Sequence, residues 1–172
     1  MRIIRFFLHT LCAVVAISVA LAAQAQQLAN PSGDVILTIK GDMVQRNIPD
    51  GAAFDLQMLK EIGMVTFSTT TPWTDGIQSF TGVPLNRLLA QIGAAPTVMT
   101  VTAINEYQVQ VPASDAIDGG PILAWDQSGK MLSIREKGPL WLMYPFDSKS
   151  EYRTEKVHAR AVWQVAQIDL LP

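Results

Sequence analysis

Phe80-Thr81-Gly82-Val83-Pro84-Leu85-Asn86-Arg87-Leu88-Leu89-Ala90-Gln91-Ile92-Gly93 is the best-punctuated stretch of this sequence. Pro84 suits the first position of a helix, where a backbone N–H is not needed. Leu85, Leu88, Leu89 and Ile92 then recur on one face, and Gly93 supplies the residue that stops the helix. The spacing predicts an amphipathic helix of two turns that buries its leucine face.

The flanks of this helix read mostly as short strands. Upstream, Val35-Ile36-Leu37-Thr38-Ile39 is rich in β-branched residues and ends at Gly41-Asp42. A first short helix follows, with Asp55 as N-cap, Leu56, Leu59 and Ile62 on one side and Gly63 as its stop. Val65 to Thr70 returns to strand, and Trp73 to Gly76 reads as turn-like. Downstream, Val98–Ala103 and Tyr107–Val111 form a hairpin around Asn105. Ile122–Trp125 and Met131-Leu132 flank the turn Asp126-Gln127-Ser128-Gly129, Leu140–Tyr144 is a buried strand, and Val162–Leu170 is the last strand. Strands outnumber helices about two to one, and the helices are too few and short for repeated βαβ units. The fold class is therefore α+β with mixed sheets.

The first 25 residues read as an export signal: Arg2 and Arg5, an apolar run from Phe6 to Ala23, then Ala23-Gln24-Ala25. The expected domain is thus 26–172, a 147-residue mature chain of the 172. Removing Arg2 and Arg5 leaves 11 basic residues against 15 acidic, a net charge of −4. A nucleic-acid partner is not expected at that balance, because phosphate neutralisation dominates such binding. No second apolar stretch approaches the roughly 18 to 20 residues of a membrane helix. The mature chain is expected to be periplasmic, without a membrane insert. The only cysteine, Cys12, lies in the signal, so the domain must hold together without disulfides. Charge divides unevenly: Gln26–Gly129 carries 4 basic and 10 acidic residues, Lys130–Pro172 carries 7 and 5. A basic face near a ligand or partner would follow, or ordinary scatter.

A spaced series runs through the second half: Phe80-x-Gly82-Val83-x-Leu85-x-x-Leu88-Leu89, Tyr107, Gly138-Pro139, and Arg160-x-x-Trp163 closing on Ile168. In this the chain resembles the molybdopterin domain of the sulfite oxidase family, over roughly Val35 to Leu170. The resemblance implies an α+β fold with several small mixed sheets, a β-grasp-like part and a few short helices. It also implies a pterin site. The family's molybdenum-holding cysteine has no counterpart; the register puts Thr69 nearest its place, and the Gly-Asn-x-Arg stretch that follows in the enzymes is missing. A threonine hydroxyl stays protonated near neutral pH and is a poor ligand for a soft metal. Exported molybdoenzymes generally use the twin-arginine route, yet Ile3-Ile4 separates Arg2 from Arg5.

The candidate ligand-binding residues are Thr69, Thr70, Trp73, Asp75, Tyr144, Arg160 and Trp163. Thr69 and Thr70 offer a hydroxyl-rich rim, or simply a strand end where threonine is favoured. Trp73 beside Asp75 suits a pterin, whose face stacks and whose 2-amino and N3 hydrogens pair with one carboxylate; the plainer alternative is a core tryptophan and a turn-opening aspartate. Arg160 and Trp163 match the enzymes' closing arginine and tryptophan, with Val162 where their lysine stands. Tyr144 opens the aromatic and charged loop Tyr144–Arg153, of a kind that often lines sites. His158, with Glu155 three residues before it, reads as a solvated pair on a turn and makes no zinc site. No nucleophile elbow or phosphate-cradling glycine loop is present.

These features favour a non-catalytic protein that binds a reduced, metal-free pterin. Within the superfamily the chain is similar to cysteine-less regulators that act on the periplasmic domain of a membrane GGDEF/EAL protein, and so on cyclic di-GMP. Molybdenum is not expected. The competing readings are a molybdopterin-dependent oxidoreductase with a non-cysteine metal ligand, and an adaptor whose pocket is plugged.

Overall fold

The computed structural model describes residues 28–172; the predicted signal segment lies outside them. Among the described residues, ten strands and three α-helices follow one another: β1 (Leu37–Lys40), β2 (Gly51–Phe54), α1 (Leu56–Ile62), β3 (Val65–Thr71), β4 (Thr74–Pro84), α2 (Leu85–Ile92), β5 (Val98–Ala103), β6 (Gln108–Pro112), β7 (Ile122–Gln127), β8 (Lys130–Met131), β9 (Trp141–Met143), α3 (Glu155–Arg160) and β10 (Val165–Leu171). They build two five-stranded sheets. One has the order β2-β1-β10-β5-β6; the other runs β3-β4-β7-β8, with β9 also on β7. Only the β1–β10 pairing is parallel. The fold is the mixed α+β arrangement expected from the sequence.

The leucine helix forms as its spacing dictates. Leu85, Leu88, Leu89 and Ile92 are all buried on one face of α2, and Gly93 stops it at φ 62°. Burying each such side chain stabilises by about 1.5–3 kcal/mol. Pro84 stands one position earlier than predicted, as the N-cap, because it is still the last paired residue of β4, opposite Ile122. Asp55 caps α1 as read: its carboxylate accepts from the Met58 N–H and, through its other oxygen, from Ser32 and Gly33. Those donors hold its pKa down at about 2 and tie the first described residues to the helix.

Four local readings need correction. Pro72 and Trp73 are the turn of a β3–β4 hairpin closed by the Thr71–Thr74 pair, so Asp75 and Gly76 lie in a strand and not in a turn. The 11 residues of β4 escaped pattern reading because its outer half is polar and Gly82 interrupts it. Gly82 stands at a bulge against β7, where an added Cβ would come 2.2 Å from the Leu123 carbonyl oxygen. Gly51–Phe54 is a further strand with no alternation to announce it, since all four residues are buried. Glu155–Arg160 is a helix, not a turn, capped by the Thr154 hydroxyl that accepts from the Val157 N–H.

The fourth correction positions the site. The last strand does not run continuously from Val162, because Gln164 takes φ 56° and donates its N–H to the Lys137 carbonyl. On its amino-terminal side, Trp163 bridges to Trp141, and the Val162 carbonyl accepts from the Leu142 N–H. On the other side, β10 pairs with β5 from Val165 onward. The segment Ala161–Gln164 is therefore shared between the two sheets, and a cleft opens beside it.

Candidate functional site

Three segments make this cleft. The β3–β4 hairpin tip contributes Trp73, the β5–β6 hairpin contributes Ala103, Asn105 and Tyr107, and α3 with the segment after it contributes His158, Ala159, Ala161, Val162 and Trp163. The void measures about 340 Å³, at the lower end of the roughly 300–1,000 Å³ typical of small-molecule sites. The hairpin around Asn105 forms as predicted, with the Ala103 N–H donating to the Tyr107 carbonyl and the Asn105 side chain accepting from the Tyr107 N–H.

Trp73 is the hub of the walls. Its ring centroid lies 5.8 Å from Trp141, 5.8 Å from Trp163, 6.2 Å from Phe146 and 6.0 Å from His158, in tilted or edge-on geometry. Such pairs gain about 0.5–1.5 kcal/mol beyond burial. Behind them, Trp141 is fully buried and donates its indole N–H to the Ala161 carbonyl at 3.0 Å, fixing the cleft floor. Trp73 is also part of a second, polar groove of about 670 Å³, together with Asp75, Gln78, Lys130, Arg135 and Lys137.

The structure thus sorts the predicted residues into four groups. Trp73 and Trp163 come together on the aromatic cleft. Trp73 and Asp75 share the polar groove, where Asp75 is exposed. Arg160 and Tyr144 line neither cavity; both converge on Asp115, whose Oδ2 accepts from Arg160 at 2.8 Å and from the Tyr144 hydroxyl at 2.7 Å. Burial, and then that hydrogen bond, push the Tyr144 phenol far above its ordinary pKa. This arrangement assigns Arg160 to anchoring the end of α3.

Thr69 and Thr70 form the fourth group, a clasp between β3 and the turn Phe146–Ser148. The fully buried Thr69 hydroxyl accepts from the Asp147 N–H and donates to the Thr70 carbonyl, both at 3.1 Å. Thr70 donates its N–H and its hydroxyl to the Asp147 carboxylate, at 2.6 and 2.9 Å. The N–H first, then the hydroxyl, hold the Asp147 carboxyl below its usual range.

That clasp decides the fit to a molybdenum centre. Thr69, which the sequence register puts nearest the family's thiolate, has an engaged, buried hydroxyl, and the one cysteine of the chain is Cys12. Among the described residues there is no group of three or more histidine, cysteine or carboxylate side chains placed to hold a metal ion. An engaged threonine hydroxyl is a poorer donor for molybdenum than a thiolate, whereas a tryptophan wall suits the face of a flat ring.

Sequence reading missed Asp115, Asp147 and His158. Asp115 sits in a 3-10 turn without periodicity, and its partners are 29 and 45 residues away. Asp147 acts at a separation of 77 residues. His158 carried one usable signal, since Thr154 as a cap and Glu155 in a first turn mark a helix and so place His158 on an ordered element.

A search of curated proteins finds no match. The family model for the oxidoreductase molybdopterin binding domain matches residues 55–147, a span that holds Thr69, Thr70, Trp73, Asp75 and Tyr144 and stops before Arg160 and Trp163. Covering more than half of the 172 residues, the match makes this chain a member of the oxidoreductase molybdopterin-binding domain family, the sulfite oxidase-like fold that the two sheets display.

Proposed function

We propose that the chain is a non-catalytic, periplasmic pterin-binding protein that holds a reduced pterin without metal and regulates a membrane GGDEF/EAL protein through that protein's periplasmic domain. The observation that carries this reading is the pairing of an open aromatic cleft with a closed thiolate position. Trp73 and Trp163 offer ring walls to a bicyclic heterocycle, while Thr69 spends its hydroxyl inside the fold. A family pocket that keeps surfaces for the organic ring and lacks the metal's sulfur donor suits recognition better than oxygen-atom or electron transfer.

Regulation would use the cleft mouth. Ile104, Tyr107 and Trp163 are 48%, 53% and 39% exposed there, on segments tied together by the Ile104 N–H to Gln164 carbonyl bond. Ligand seated against Trp163 favours one arrangement of this rim, and a partner that binds that arrangement better responds to occupancy. Turnover of cyclic di-GMP by the partner then changes without chemistry in this chain.

Two assays test the reading. The chain from residue 26 onward is titrated with tetrahydrobiopterin in chelator-treated buffer; wild type binds with micromolar or tighter affinity, and Trp163→Ala weakens binding by roughly 2- to 13-fold, the loss of one aromatic contact. In cells carrying the partner, removing the chain or supplying the Trp163→Ala variant changes cyclic di-GMP in the same direction. Absence of pterin binding by wild type, or an unchanged cyclic di-GMP level on removal, refutes the corresponding half.

A further inference from the structure

His158 is a half-buried titratable side chain among the aromatic walls of the cleft. It projects from α3 and lies edge-on to Phe146 at 4.8 Å and 74°, and to Trp73 at 6.0 Å and 76°. The side-chain hydrogen bonds around it run elsewhere, from Trp141 to Ala161 and from Arg160 and Tyr144 to Asp115. Neither imidazole nitrogen has a partner among the described residues. The other polar side chains of the cleft sit at its rim: Asn105 already accepts from the Tyr107 N–H, and Tyr107 is more than half exposed.

A flat heterocycle entering so apolar a space must replace the hydrogen bonds it made to water. Each ring nitrogen or carbonyl buried without a partner opposes binding. An imidazole both donates and accepts, so it can meet either kind of edge group. We propose that His158 reads the hydrogen-bonding edge of the ligand while Trp163 takes its face and Trp73, whose ring stands at 78° to that of Trp163, closes a second side, so that the cleft selects nitrogen heterocycles over hydrocarbon rings of the same shape. This rests on the pterin reading above, and it adds a specificity-determining residue that the sequence had assigned to a solvated turn.

The test compares His158→Phe, which keeps a ring against Phe146 and Trp73 but loses the hydrogen bond, with His158→Gln, which keeps a donor and an acceptor. Biopterin fluorescence titration of the chain from residue 26 onward should show about tenfold or greater weakening for His158→Phe and no more than about threefold for His158→Gln. Near-ultraviolet circular dichroism checks that both variants fold. His158 is the only histidine after residue 25, so its imidazole proton resonances are unique in this chain, and they should shift when biopterin is added. Wild-type binding matched by His158→Phe overturns the role of His158 and leaves the pterin reading intact. Weakening in both variants with unmoved imidazole resonances also overturns it. Failure of wild type to bind both biopterin and tetrahydrobiopterin overturns the pterin reading itself.

Discussion

Replacing Asp115 by alanine should be the most informative single perturbation of the scaffold that holds the cleft. Its Oδ2 is the shared acceptor of the Tyr144 hydroxyl and the Arg160 guanidinium, at 2.7 and 2.8 Å. Tyr144 is fully buried, so losing that acceptor strands a hydroxyl at a cost of about 1–3 kcal/mol. The Asp115 and Arg160 side chains are only 15% and 14% exposed, yet Arg160 ends its helix and can turn toward water, which limits its added cost to about 1 kcal/mol. Asp115→Ala should therefore cost about 2–4 kcal/mol in urea unfolding, read as a lower midpoint at unchanged slope. Tyr144→Phe, which leaves the Asp115–Arg160 pair in place, should cost about 1 kcal/mol. The double variant no longer has a stranded hydroxyl, so it should cost less than the sum by about 1 kcal/mol. A cost below about 0.5 kcal/mol for Asp115→Ala, or strict additivity, would refute the shared-acceptor argument.

Other perturbations probe the rest of the structure. Thr69→Val removes the acceptor of the part-buried Asp147 N–H and should cost about 1–2 kcal/mol; an unchanged urea midpoint would contradict the clasp. Trp73→Ala empties the centre of the aromatic cluster from a half-buried position, and a loss of about 2–3 kcal/mol should lower the unfolding temperature by roughly 5–10 °C. The depressed carboxyl of Asp55, at about 2, gives a stabilisation that is present above the unfolded-state value near 4 and lost as pH falls toward 2. Asp55→Asn should thus be less stable than wild type at neutral pH, and urea midpoints measured down that range should converge; a constant gap would contradict the assignment.

What could be read in the sequence was local. The Leu85–Ile92 helix, the Asp55 cap, the Val98–Ala103 strand and the hairpin at Asn105 each depend on neighbours within a few residues, and each formed as read. The family was legible through the spacing of Phe80, Gly82, Leu85 and Leu88. Trp73 and Trp163 were legible by their type as candidates, and the fold brings their ring centroids to 5.8 Å. The roles of Arg160, Tyr144, Thr69 and Thr70 were not, because Asp115 and Asp147 reach them across 29 to 78 residues of chain. Strand β4 was hidden because its register with β7 needs a bulge at Gly82, a property of the partner strand that no periodicity within residues 74–84 records.

The central claim is that the family's pocket here retains an organic ring and not its metal. Native mass spectrometry of the chain isolated gently from the cell envelope, with metal analysis of the same sample, tests it directly. One pterin per chain is expected, with molybdenum far below one per chain. Stoichiometric molybdenum that stays with the folded protein would contradict it.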